Sequence, residues 1–83
     1  LLLKLYTLST CPWCKRLKSF LDREGIGYTF VDVDLLQGEE RDRALREIDR
    51  ISQERAFPLT IVNGRVVKGF NTEQILAALH DEE

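Results

Sequence analysis

Cys11-Pro12-Trp13-Cys14 holds both cysteines of this 83-residue chain. Two thiols separated by two residues, placed where an apolar segment (Leu1 to Leu8) passes into a helix-like one (Lys15 to Glu24), suit reversible thiol-disulfide exchange. With Cys11 capping the helix, Pro12 falls at the first helical position, where its missing N–H costs nothing and its fixed φ suits the helix. Cys14 then takes the third helical position. Those two positions exchange contacts in a capping box, so the sulfurs meet without distorting the backbone. The Cys11 sulfur faces free helix N–H groups and the positive end of the macrodipole, which favour thiolate over thiol. Cys11 is therefore expected to be the exposed nucleophile, and Cys14, on the apolar face with Leu17, the resolving thiol.

Two other uses of the pair fit less well. A disulfide closing so short a loop would restrict the unfolded chain by only about 2 kcal/mol, less than a long loop gives. A zinc site needs about four ligands, and His80, the one histidine, has no Cys or second His beside it. No metal site is expected.

The charges are unevenly placed. The first 21 residues carry Lys4, Lys15, Arg16 and Lys18 with no acidic residue, while the remaining 62 carry 8 basic and 14 acidic side chains. Lys15 lies four residues after Cys11 on the same helix face. These cations read equally well as support for a thiolate and as an ordinary solvated face.

Length and composition bound the rest. A chain of this size forms one domain, spanning residues 1 to 83, that buries about 60 to 65% of its unfolded surface. Hydrophobic residues at 43% and charged residues at 31% describe a globular protein, and a net charge of −2 gives no global attraction to nucleic acid or an anionic membrane. No apolar run approaches the roughly 18 residues of a membrane span, and Leu1-Leu2-Leu3 lacks the basic leader and cleavage site of a signal peptide, so a cytoplasmic protein is expected. The sequence contains no Met, so the natural chain is expected to start before Leu1.

The elements that must position the thiols follow from periodicity. Residues 3 to 8 form a first strand. Cys14, Leu17, Phe20 and Leu21 recur at helical spacing, with Gly25 past the helix end. Tyr28 to Asp34 alternates as a second strand, parallel to the first, with Tyr28 and Phe30 on one face and Val31 and Val33 on the other. From Glu39 to about Gln53, Ala44, Leu45, Ile48 and Ile51 line one stripe of a second helix whose outer charges are solvated surface. Leu59 to Val62 and Arg65 to Lys68 form a hairpin through Asn63-Gly64. Asn71 or Thr72 caps a last helix bearing Ile75, Leu76 and Leu79. The order β-α-β-α-β-β-α predicts an α/β fold with a four-stranded mixed sheet flanked by helices.

With these residues in hand, the chain resembles the glutaredoxin branch of the thioredoxin superfamily over nearly its whole length. The resemblance rests on Cys-Pro-Trp-Cys after the first strand, a Pro immediately before the third, Asn-Gly in the hairpin and a Gly-led turn into the last helix. It implies a thioredoxin-like fold, a cis Pro58 facing the disulfide, and Phe57 offering backbone groups to an extended substrate as an added strand would. It places Pro12, Trp13, Lys15, Arg55, Phe57, Pro58, Gly69, Phe70, Asn71 and Thr72 around the substrate. Arg55 corresponds to a position that approaches a ligand carboxylate, and the N–H groups at Asn71 and Thr72 open a helix that suits another.

Departures from the family pattern bear on the electron donor. Glutaredoxins usually read Thr-Val-Pro where this chain has Ala56-Phe57-Pro58, and Gly-Gly-x-Asp where it has Gly69-Phe70-Asn71-Thr72; the Lys many carry three residues before the first cysteine is Leu8. Lost Lys and Asp contacts weaken the case for glutathione as reductant, although Arg55 and the last helix leave it sites. Lys68-Gly69-Phe70 is more similar to the Gly-Phe turn of NrdH-type redoxins, which a thioredoxin-type reductase reduces. Trp13 and Phe70 then present apolar surface to protein partners, or else simply pack. The implied protein is a monomeric dithiol disulfide reductase with no bound cofactor, its alternative a carrier of an iron-sulfur cluster held by two chains through Cys11 and external thiols.

Overall fold

The computed structural model describes residues 3–80, so Leu1 and Leu2 lie outside the described residues. The chain runs β1 (Leu3–Thr7), α1 (Pro12–Arg23), β2 (Thr29–Asp32), a 3-10 turn (Val33–Leu35), α2 (Gly38–Ile51), β3 (Leu59–Val62), β4 (Arg65–Lys68) and α3 (Thr72–His80). The strands form one mixed sheet in the order β2-β1-β3-β4, with β1 parallel to β2 and antiparallel to β3, and β3 antiparallel to β4. This is the expected β-α-β-α-β-β-α fold.

Strand alternation divides the core into two layers. Leu3 and Leu5 of β1, Val62 of β3 and Val67 of β4 meet Leu17 and Leu21 of α1 and Ile75 and Ala78 of α3. On the other face, Tyr6 and Leu59 meet Val33 and the Ala44 and Ile48 stripe of α2. Register follows, because Leu5 pairs with Thr60 and Tyr6 with Leu59, and a one-residue slip would exchange the two faces.

Several boundaries differ from expectation, β2 starting at Thr29 rather than Tyr28 and α2 at Gly38 rather than Glu39. Strand β2 stops at Asp32 rather than Asp34, because residues 33–35 wind into a 3-10 turn that still buries Val33 but turns Asp34 toward the end of β1. Strand β1 ends at Thr7, before Leu8. Helix α2 ends at Ile51, where Ser52 closes it by donating its N–H to the Ile48 carbonyl and its hydroxyl to the Glu54 carbonyl. The hairpin is as expected: Asn63 and Gly64 take positive φ of 50° and 79°, the conformation of a tight two-residue turn.

Candidate functional site

Cys11 occupies the extended N-cap position of α1, and its sulfur accepts the Cys14 N–H at 3.1 Å. Pro12 begins the helix. The loop before it is tied in place from outside, since the Ser9 N–H and hydroxyl donate to the two oxygens of Asp34 at 2.8 and 2.5 Å. These bonds hold the Asp34 carboxyl below its usual range, so Asp34 is a charged clamp on the segment leading into Cys11. The Cys11 N–H then donates to the Leu8 carbonyl and the Lys15 N–H to the Cys11 carbonyl, both at 3.1 Å.

The two thiols, both free, differ in environment. Cys11 is half-buried, while Cys14 is sealed among the core residues of α1. Burial, followed by a hydrogen bond to the Cys11 sulfur, pushes the Cys14 thiol up to about 12. The Leu8 N–H and Lys18 oppose that rise without cancelling it. Cys14 therefore keeps its proton and directs it toward the Cys11 sulfur.

A third group beneath the site escaped the sequence reading. Lys18 reaches Asp32 at 3.4 Å, and the fully buried Thr7 hydroxyl lies 2.5 Å from Asp32 Oδ1 and 3.2 Å from the Val31 carbonyl. Lys18 also sits 3.7 Å above the Phe30 ring. The signal in the sequence was weak: Lys18 is four residues after Cys14, but its carboxylate partner comes from another strand.

Several of the implied site residues contact one another. The Phe57-Pro58 peptide bond is cis, and Pro58 is fully buried. The Pro58 carbonyl accepts the Gly69 N–H at 2.7 Å, joining the turn before β3 to the turn after β4. Gly69 adopts φ of +75°, which a side chain would strain. The Asn71 side chain, rather than Thr72, caps α3 by accepting the Gln74 N–H at 3.1 Å. Phe70 stacks against Trp13 with ring centroids 5.4 Å apart. Since Trp13 is 50% and Phe70 40% exposed, simple core packing does not account for them. Phe57, by contrast, turns its ring to the core beside α2.

Arg55 holds a carboxylate partner within the chain. Its guanidinium makes a two-point pair with Asp49 at 3.0 and 2.9 Å, each lowering the free energy of the other's charged form. Lys15 is exposed on α1.

A four-stranded mixed sheet with helices on both faces, carrying a Cys-x-x-Cys at a helix N-terminus and a cis proline before the third strand, defines a thioredoxin-fold redox protein. The glutaredoxin family model matches residues 3–67, and the chain belongs to that family of thiol-disulfide oxidoreductases. It is 31% identical over 74 residues to a glutaredoxin-like 8.6 kDa protein in the rubredoxin operon of Clostridium pasteurianum, covering 89% of this chain and 92% of that one. Among solved structures it is similar to the methanoredoxin of Methanosarcina acetivorans (TM-score 0.86, 39% identity, 94% of this chain and 83% of that one). The glutaredoxin grx-1 of Archaeoglobus fulgidus is similar too (TM-score 0.85, 35% identity, 93% and 84%).

Proposed function

We propose that this protein reduces disulfides of other proteins by a two-thiol cycle. Cys11 thiolate attacks one sulfur of the substrate disulfide, forming a mixed disulfide and expelling the other substrate sulfur as thiolate. Cys14 then loses its proton and attacks the Cys11 sulfur, closing the Cys11–Cys14 disulfide and releasing the second substrate thiolate. Two electrons pass from protein to substrate, and a donor must return them.

The observation that carries this reading is the asymmetry of the pair. Cys11 is reachable and accepts a helix N–H, whereas Cys14 is buried and pushed up to about 12. Part of that rise comes from Cys11 itself, through its hydrogen bond and charge. Once Cys11 is engaged in a mixed disulfide its charge is gone, and only burial still opposes ionisation of Cys14. The resolving thiol is thereby held back until the first step has occurred.

The substrate groove comprises Pro12, Trp13, Lys15, Phe57, Pro58, Gly69, Phe70, Asn71 and Thr72, with the Phe57 backbone pairing to an extended segment. We assign the electron donor as a thioredoxin-type reductase, in a monomeric and cytoplasmic carrier without a resident cofactor. Three features support that choice over glutathione: Leu8 and Thr72 lack the charges that hold glutathione's ends, Arg55 is engaged by Asp49, and Trp13 with Phe70 offers an apolar surface suited to a protein. The test is to offer the oxidised protein glutathione with its reductase and, separately, a thioredoxin-type reductase with NADPH. Reduction by the second alone supports the assignment; efficient reduction by glutathione alone overturns it. A brown, cluster-bearing protein after anaerobic purification would favour the iron-sulfur alternative.

A further inference from the structure

Beside the Trp13–Phe70 pair, a groove of about 330 Å³ runs along α1, lined by Lys15, Arg16, Ser19, Arg23 and Phe70. Its charge is uncompensated. Among the described residues Lys18, Arg50 and Arg55 each hold a carboxylate partner, whereas Lys15, Arg16 and Arg23 hold none. The first turn of α1 carries no acidic residue, and the Arg16 guanidinium instead lies 4.7 Å from the Trp13 ring centre. Three cations thus gather on one face of a chain whose net charge is −2.

A larger groove, about 620 Å³, lies on the other face of the sheet between Tyr6, Val31 and α2. Its cations Lys4, Arg43, Arg46 and Arg50 share the lining with Glu40 and Glu47, the latter bound to Arg50 at 2.6 and 2.7 Å. None of its lining residues lies on α1 or beside Cys11, and its cations are interleaved with carboxylates as those of the α1 groove are not.

We propose that the α1 groove docks an acidic segment adjoining the reacting cysteine of the protein substrate, an inference that rests on the reductase reading above. Trp13 and Phe70 form the apolar end next to the sulfur, and Arg16 and Arg23 bind carboxylates farther along. Length selects a polypeptide over a small thiol. At about 1.5 Å of rise per residue, Arg23 stands roughly 18 Å along the helix from Cys11, which takes about five or six extended residues to cover. A tripeptide thiol linked to Cys11 cannot span it. Complementary charge accelerates encounter more than it tightens the final complex, and salt screens it.

The test compares two long disulfide peptides that share the same cysteine and differ only in bearing several Glu or several Lys beside it. For the wild-type protein the second-order rate of reduction is expected to be about tenfold higher for the Glu peptide at low salt, falling toward equality as salt rises. Replacing both Arg16→Gln and Arg23→Gln should collapse the ratio, leaving reduction of the Lys peptide as evidence of an intact fold. Equal rates for the two peptides in wild type overturn the proposal while leaving the reductase reading standing. A Glu preference that survives the double substitution, or glutathione disulfide reduction that is equally sensitive to Arg23→Gln, also overturns it. Reduction of neither peptide overturns the redox cycle and this proposal with it.

Discussion

The Cys14 N–H donates to the Cys11 sulfur at 3.1 Å, and the same pairing of N-cap with third helical position places the Cys14 side chain in the core. One local geometry therefore gives the half-buried Cys11 sulfur a helix N–H partner and denies the Cys14 sulfur contact with solvent. The division of labour between the thiols follows from this arrangement.

Cys14→Ser is expected to accumulate a mixed disulfide between Cys11 and a protein substrate, since the resolving sulfur is missing, whereas Cys11→Ser should form no adduct. Intact-mass spectrometry after mixing each variant with a disulfide substrate checks this. An adduct on Cys14 in the Cys11→Ser variant would reverse the roles.

Cys14 should titrate lower in Cys11→Ser than in the reduced wild type, because the hydrogen bond and charge of the Cys11 sulfur both contribute to its rise. Thiolate ultraviolet absorbance against pH measures it. The folded thiol is raised from 9.0 to about 12, so the stability linked to its protonation is complete below pH 9 and is lost as pH climbs toward 12. Reduced wild type should accordingly lose stability more steeply across that window than Cys14→Ala, compared by denaturant midpoints at each pH.

Donor choice should respond to two separate changes. Phe70→Gly combined with Thr72→Asp removes apolar surface and adds a carboxylate at the α3 N-terminus, where the helix dipole favours it; glutathione-driven reduction should rise and reductase-driven reduction fall. Asp49→Asn weakens the ionic hold on Arg55, so the KM for glutathione should fall. Steady-state kinetics with each donor decides both. An unchanged KM in Asp49→Asn would place Arg55 outside the ligand's reach.

Thr60 is fully buried in β3, and its hydroxyl has no hydrogen-bond partner among the described residues. Replacing it with Val keeps the β-branched shape and removes a desolvated polar atom, so stability should rise by about 1 to 2 kcal/mol. Chemical denaturation of the reduced protein measures the change. A loss of stability would mean that the hydroxyl is satisfied in solution.

What the amino-acid order determined by itself lies within short reaches of chain. The cap of α1 by Cys11 joins residues three apart, the Asn63-Gly64 turn needs only adjacent positive φ values, and each apolar stripe or alternation follows from the period of its own element. The strand and helix order, and the family to which it leads, were legible for the same reason. Arg55 shows where that reach ended: the resemblance implied a position that approaches a ligand carboxylate, but the partner that α2 supplies, Asp49, was not legible in the order of residues.

The tertiary structure decided the contacts between distant residues. Asp34 clamps Ser9, and Asp32 meets Thr7, each across 25 residues, because β2 lies parallel beside β1 and its chain turns back early at Val33. Phe70 meets Trp13 only because the Pro58 and Gly69 turns are joined at one end of the sheet. Such pairs leave no period in the sequence, since neither residue favours the other until hydrophobic burial has packed α1 and α3 onto the strands.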